Sequence, residues 1–189
     1  MLYILHYELT MSTTILVYSL LFCRIAIALV FASSFFGKLT DLHTVEETIS
    51  QFDLFPKRFS HLAAWLLLGS ELTVVLLMLL DGIWLGLGLT LAACLLLGFS
   101  LALASVLARK IRTSCNCFGA SKKSVSTYDL WRNACFIACA LGGCGAALSL
   151  KNVPIRPELW ELSLTALAAI VFVGIATQLD EIAQLFRQV

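Results

Sequence analysis

Apolar residues dominate five long stretches of the chain, with polar residues gathered between them. A membrane-spanning helix needs about 20 mainly apolar residues. The pattern therefore predicts five transmembrane helices, at residues 15–36, 60–80, 84–107, 128–150 and 159–179. We expect an all-α integral membrane bundle that forms a single domain over residues 1–189.

The segment between the first two spans has a different pattern, typical of an amphipathic helix. Leu42, Val45 and Ile49 recur at three- and four-residue steps, and acidic residues occupy other positions. Such a stripe predicts a helix over residues 40–55 that lies in the membrane interface. Asp41 stands where an N-cap residue would be expected.

Composition supports a membrane protein. Of 189 residues, 60% are hydrophobic and 13% are charged, whereas soluble domains carry about 25% charged residues. The net charge of +1 gives no general attraction to nucleic acid. The N-terminal sequence MLYILHYELTMSTT contains no Lys or Arg. We therefore interpret the first span as a retained helix and not as a cleavable signal peptide.

Two of the seven cysteines, Cys115 and Cys117, lie in a polar, basic segment between the third and fourth spans. Thiols one residue apart form a disulfide only if the backbone turns, and a strained, exposed disulfide is oxidising. Neighbouring Lys and Arg residues favour the thiolate. The pair indicates thiol–disulfide exchange at the membrane surface, with incidental thiols or part of a soft-metal site as alternatives. His43 and His61 lack metal-site spacing, so no metal site is predicted.

Ionisable residues also occur inside the spans, where they are costly and suggest function. Arg24 and Glu71 lie at similar depths, roughly 13 Å from the same ends of antiparallel helices. This predicts an Arg24–Glu71 ion pair, which either fixes helix register or lines a quinone or substrate cavity. Lys38, at the end of the first span, is interpreted as a cation whose side chain reaches the membrane surface.

The fourth span begins with further polar residues. Arg132 and Asn133 could hold the cysteine segment, steer a thiolate or bind a carbonyl ligand; anchoring at the interface is the alternative. Cys135 and Cys139 follow on the next turns. They are interpreted as packing thiols, with a second redox pair as the alternative.

These residues together resemble the MauE (methylamine utilisation) family within the DoxX-like membrane proteins. The resemblance covers about residues 20–150. It rests on Arg24, Phe31-x-x-Ser34-x-x-Gly37-Lys38-Leu39, Leu54-x-Pro56, Glu71-Leu72, Cys115-x-Cys117-Phe118-Gly119 and Arg132-Asn133. It implies a DoxX-like four-helix core with one additional C-terminal helix, in the bacterial inner membrane.

The resemblance also implies a function. MauE-like proteins support oxidative maturation of methylamine dehydrogenase beside a thioredoxin-like partner, and DoxX-like proteins are linked to quinone-coupled sulfur oxidation. The expectation is a thiol–disulfide oxidoreductase with Cys115 and Cys117 as catalytic residues. A quinone would bind near the intramembrane polar residues Arg24, Glu71, Arg132 and Asn133. A non-enzymatic scaffold for the thioredoxin-like partner and a soft-metal transfer protein remain as alternatives.

Charge and resemblance differ on orientation. The connections after the first and third spans, together with the C-terminal tail, hold nine Lys and Arg residues, and the opposite side of the membrane holds two. The positive-inside rule therefore places the cysteine segment in the cytosol. Oxidative maturation would require the opposite side, where disulfides persist.

Overall fold

The computed structural model describes residues 2–51, 60–109, 126–150 and 158–178, and these ranges form helices without strands. The helices are α1 (Leu2–Leu39), α2 (Leu42–Gln51), α3 (Ser60–Met78), α4 (Ile83–Ala108), α5 (Thr127–Ser149) and α6 (Leu159–Thr177). A helix therefore lies at each of the five apolar stretches, and α2 lies within the amphipathic segment.

Four of the described helices are long and apolar enough to cross a bilayer: the Thr13–Leu39 part of α1, together with α3, α4 and α6. Helix α5 is 23 residues long but begins with polar residues, among them Asp129 and Arg132. It packs against both α1 and α4, which shields these groups from lipid. The predicted all-α membrane bundle is confirmed. Four of its five predicted spans are both long enough and apolar enough to cross a bilayer.

Helix α1 is the centre of the bundle. It packs against α3, α5 and α6, while α4 packs against α3 and α5. Helices α1, α3, α4 and α5 thus form a four-helix ring, and α6 lies against α1 from outside it. The Phe172 ring of α6 is 5.4 Å from Phe22 and 6.0 Å from Phe136 between ring centroids. These contacts extend the hydrophobic core from the ring to the C-terminal helix.

Two glycines let helices of the ring approach closely. A Cβ atom built on Gly88 of α4 would lie 2.8 Å from Leu77 Cβ of α3. A Cβ atom on Gly143 of α5 would lie 3.0 Å from Cys23 Cβ of α1 and 3.3 Å from a methyl group of Leu89. Small residues permit such tight packing between helices in lipid. We call this cross-section of the ring, marked by Cys23, Leu77, Gly88 and Gly143, the glycine level.

Helix α2 begins where its sequence predicts. The Asp41 carboxylate accepts hydrogen bonds from the Thr44 hydroxyl (2.6 Å) and the Thr44 backbone N–H (3.2 Å). These bonds favour the charged carboxylate and lower the pKa of Asp41. Val45 is buried, and α2 packs on α3. Of the amphipathic segment predicted over 40–55, residues 52–55 lie outside the described part of the chain.

Candidate functional site

Arg24 and Glu71 do not pair. Arg24 Nε donates to the Met78 carbonyl at the end of α3 (2.6 Å), and Arg24 Nη1 donates to Asp81 (2.6 Å). Glu71 instead pairs with Lys38. The predicted Arg24–Glu71 pair is therefore wrong, because Arg24 lies level with the end of α3, about 10 Å along the helix from Glu71. Helical side chains also lean toward the N-terminus of their own helix. In antiparallel α1 and α3 that tilt carries the Arg24 and Glu71 side chains apart, toward opposite ends of the bundle.

The Lys38 ammonium group lies inside the bundle. It forms an ion pair with Glu71 Oε1 and donates a hydrogen bond to Ser34 Oγ at 2.7 Å. Ser34 Oγ in turn donates to Glu71 Oε1 at 3.0 Å. The Lys38 and Glu71 side chains are 4% and 0% exposed. The interpretation of Lys38 as a cation that reaches the membrane surface is therefore wrong.

Lys38 also has an aromatic neighbour on a third helix. Its Nζ atom is 5.1 Å from the centroid of the Phe99 ring of α4. A desolvated ammonium over an aromatic face is stabilised by about 2 kcal/mol. Lys38 is thus a functional candidate that sequence reasoning missed. The available signal was the four-residue step from Ser34 to Lys38, which puts both side chains on one helix face.

Arg132 and Asn133 are buried near the start of α5, with 9% and 4% exposure. Arg132 pairs with Asp129 one turn earlier (3.1 Å). The sequence predicted that these residues would lie near the cysteine segment. Helix α5 begins with a capping box formed by Ser126 and Asp129, which fixes its first turn. The burial of Arg132 and Asn133 favours an internal role over anchoring at the lipid surface.

Ser34 of α1, which contacts Lys38 and Glu71, lies at a similar depth in the ring to Arg132 of α5. Ser34 follows Cys23 by 11 residues on α1, and Arg132 precedes Gly143 by 11 residues on antiparallel α5. Both are therefore about 16 Å from the glycine level along their helices. In the described part of the chain, the polar or charged residues that are fully buried are Ser34, Lys38, Glu71, Arg132 and Asn133. We call these five residues the polar layer.

An acceptor and a donor of the polar layer have no hydrogen-bond partner among the described residues. They are Glu71 Oε2 and Asn133 Nδ2, and both atoms are buried. Leaving a buried polar group unsatisfied costs about 1–3 kcal/mol, and native proteins seldom do so. A ligand hydroxyl could donate to Glu71 Oε2, and a ligand carbonyl could accept from Asn133 Nδ2.

Cys115 and Cys117 lie outside the described residues. The chain leaves α4 at Ala108 and enters α5 at Thr127, so their connection joins the two helix ends on the polar-layer side. Phe99 is nine residues before the end of α4, and Arg132 is five residues after the start of α5. The polar layer is therefore about 8–14 Å from these helix ends.

The cysteines of α5 do not face each other. Cys135 is exposed, whereas Cys139 is partly buried and packs against the hydrophobic core. The His61 ring contacts Glu46 of α2 (2.5 Å). In the described ranges, no group of three or more His, Cys, Asp or Glu residues is arranged to hold a metal ion.

The comparison with protein families gives a match. The family model described as Methylamine utilisation protein MauE matches residues 16–147. The matched region contains the four-helix ring, the polar layer and the connection with Cys115 and Cys117. Comparisons with curated proteins and with solved structures give no match. The family match and the four apolar helices agree, and we conclude that the chain is a membrane protein that belongs to the MauE family.

Proposed function

We propose that this protein is a thiol–disulfide redox component of the bacterial inner membrane, in which Cys115 and Cys117 cycle between disulfide and dithiol. The observation that carries the proposal is the position of the polar layer. Buried polar residues lie directly below the two helix ends that the cysteine connection joins. Membership of the MauE family supports a role in oxidative maturation of a partner such as methylamine dehydrogenase.

The first half-reaction is exchange with a thioredoxin-like partner. A thiolate of the reduced partner attacks the Cys115–Cys117 disulfide and forms a mixed disulfide. The second partner thiol resolves it, which leaves the partner oxidised and Cys115 and Cys117 reduced. The oxidised partner then transfers its disulfide to the protein that is being matured.

The second half-reaction restores the disulfide. Two electrons and two protons pass from the Cys115 and Cys117 thiols to a membrane quinone, which becomes a quinol. Asn133 Nδ2 can donate a hydrogen bond to a quinone carbonyl, and Glu71 Oε2 can accept one from a quinol hydroxyl. Lys38 and Ser34 hold the Glu71 carboxylate in place.

Arg24 is left out of this site, although the sequence suggested it. It lies beside Met78 at the other end of α3, seven residues from Glu71. That separation is about 10 Å along the helix, and the Arg24 side chain leans away from Glu71. Its contacts with carbonyl groups at the end of α3 are typical of a helix C-terminus.

Trapping tests the exchange step. Cys115→Ser and Cys117→Ser variants should differ, with the variant that retains the attacked cysteine accumulating a mixed disulfide with the thioredoxin-like partner. Cys94→Ser, an exposed thiol on α4, is the matched control and should behave as the unsubstituted protein. If the double variant supports maturation fully and neither single variant traps a partner, the protein acts as a scaffold and the redox proposal is wrong.

Thiol labelling tests the side of the membrane. Oxidative maturation requires Cys115 outside the cytosol, where disulfides persist. An impermeant thiol reagent should then label Cys115 in intact cells as well as in permeabilised cells. Labelling only after permeabilisation would agree with the positive-inside rule and would contradict an oxidative role.

A further inference from the structure

The side chains of Lys38, Ser34 and Glu71 form a triad in which two donors are directed at the same carboxylate oxygen. Lys38 Nζ pairs with Glu71 Oε1, and Ser34 Oγ donates to that atom at 3.0 Å. Because the Ser34 hydroxyl oxygen accepts from Lys38 Nζ at 2.7 Å, its hydrogen is directed toward Glu71. The other carboxylate oxygen, Oε2, is buried and has no hydrogen-bond partner among the described residues. The triad therefore leaves one carboxylate oxygen for a ligand.

The Glu71 Oε2 atom accepts hydrogen bonds and donates none. Glu71 is a carboxylate, because it pairs with an ammonium group that is itself buried. A ligand hydroxyl can donate to Oε2. A ligand carbonyl at the same place would bring two acceptor oxygens together in a buried site, which is unfavourable. Asn133 Nδ2 does not discriminate in this way, since both a carbonyl oxygen and a hydroxyl oxygen accept from an amide.

We propose that Glu71, oriented by Lys38 and Ser34, selects the reduced form of the ligand, so that a quinol is bound more tightly than the corresponding quinone. This selectivity rests on the proposed function, which supplies the class of ligand. In that reaction the Cys115 and Cys117 thiols form an S–S bond and lose two electrons and two protons, which the quinone gains as it becomes a quinol. Tighter binding of the quinol shifts the bound couple toward the quinol by the ratio of the two dissociation constants. Glu71 thereby favours formation of the disulfide.

The geometry of the triad predicts a specific effect of Glu71→Gln. The two donors at Oε1 require an acceptor, so the carbonyl oxygen of the amide takes that position. The amide NH₂ group then takes the position of Oε2 and becomes a donor. A quinone carbonyl gains a hydrogen bond there, and a quinol hydroxyl loses its carboxylate acceptor. A residue with a purely structural role would instead weaken the binding of both ligands alike.

The test measures binding without turnover. Full-length protein that carries Cys115→Ser and Cys117→Ser is placed in lipid nanodiscs under anaerobic conditions. Dissociation constants are measured for a fully substituted short-chain benzoquinone, for its quinol and for the dimethyl ether of that quinol. Glu71→Gln is then introduced into this background. The matched control is Asp81→Asn, an acid-to-amide change in the Arg24–Asp81 pair at the other end of α3.

We expect the quinol to bind at least about tenfold more tightly than the quinone or the ether, because a hydrogen bond to a charged group contributes about that factor. Glu71→Gln should reduce the preference for quinol over quinone by about tenfold or more, whereas Asp81→Asn should leave it unchanged. The comparison of quinol with ether needs no substitution of Glu71. It therefore tests the selectivity even if Glu71→Gln fails to fold.

Three results would overturn selection by Glu71 and leave the proposed quinone step in place. They are equal dissociation constants for quinol and quinone, an ether that binds as tightly as the quinol, and a preference that Glu71→Gln does not change. Binding of none of the three ligands would overturn both the selectivity and the quinone step. Trapping of the thioredoxin-like partner at Cys115 or Cys117 is a separate measurement, so failure of the exchange reaction is distinguishable from each of these outcomes.

Discussion

Replacing Lys38 with methionine is expected to destabilise the protein strongly. The change leaves the Glu71 carboxylate, which is fully buried, without its cation. Removing one partner of a buried ion pair costs about 3–5 kcal/mol. Methionine preserves most of the side-chain volume, so little of the cost comes from a cavity. The Glu71 carboxyl can take up a proton in response, which places the expected loss near the lower limit, about 3 kcal/mol.

A double-mutant cycle separates the ion pair from general packing. Glu71→Gln alone leaves the Lys38 ammonium buried beside a neutral amide, and we expect a loss similar to that of Lys38→Met. The double variant should be no less stable than either single variant, because it leaves no uncompensated charge. Asp81→Asn is the matched control. It breaks the Arg24–Asp81 pair, in which the Asp81 side chain is 85% exposed, and should cost at most about 1 kcal/mol.

The assay is reversible unfolding of the purified protein in mixed micelles, followed by helical circular dichroism during a titration with denaturing detergent. A loss of 3 kcal/mol corresponds to an increase of about 150-fold in the unfolding equilibrium constant. The reasoning is refuted if Lys38→Met costs no more than Asp81→Asn. It is also refuted if the two single losses add in the double variant, since additivity means that the side chains do not interact.

Three further predictions concern helix contacts. Gly143→Leu should destabilise the bundle by about 1–3 kcal/mol through overpacking, whereas Gly142→Leu should be tolerated because nothing lies within 4 Å of that Cβ position; thermal denaturation would distinguish them. The lowered pKa of Asp41 means that its stabilisation of α2 is present above about pH 4 and is lost as the pH falls through the folded pKa. Hydrogen exchange in α2, corrected for intrinsic rates, should show this loss and Asp41→Asn should abolish it; an unchanged pH dependence would contradict it. Tyr18→Phe removes a 2.5 Å hydrogen bond to Glu161, so hydrogen exchange should increase in α6 but not in α4; a uniform increase would contradict a local role.

The helices could be predicted from sequence because lipid imposes a length. Every backbone polar group within the hydrocarbon must be satisfied inside the helix, and the thickness of the bilayer then fixes about 20 apolar residues per span. The start of α2 could also be predicted from the sequence, because Asp41 caps the helix by a hydrogen bond to a residue only three positions away. Both features depend only on residues that are close together in the sequence.

The pairing of the intramembrane charges could not be predicted in the same way. Counting residues along each span placed Arg24 and Glu71 at one depth, whereas Arg24 lies beside Met78, seven residues from Glu71. The count also ignored the direction of the two side chains. For Lys38, a basic residue at the end of an apolar stretch usually extends to the interface. Its burial depends on Glu71, 33 residues later, and on the Phe99 ring of another helix. Neither contact can be recognised from the sequence of α1 alone.

The polar layer is better explained by function than by stability. Apolar residues of similar volume often replace a buried ion pair without loss, and here two further buried atoms, Glu71 Oε2 and Asn133 Nδ2, lack partners among the described residues. The bundle has other means of holding its helices, because Gly88 and Gly143 already bring neighbouring backbones together. Buried polar atoms close to the ends of α4 and α5 are the arrangement expected where a bound ligand supplies hydrogen bonds. The same reasoning predicts that a quinol, whose hydroxyl groups can donate to Glu71 Oε2 and accept from Asn133 Nδ2, raises the unfolding free energy of the unsubstituted protein more than that of Asn133→Leu.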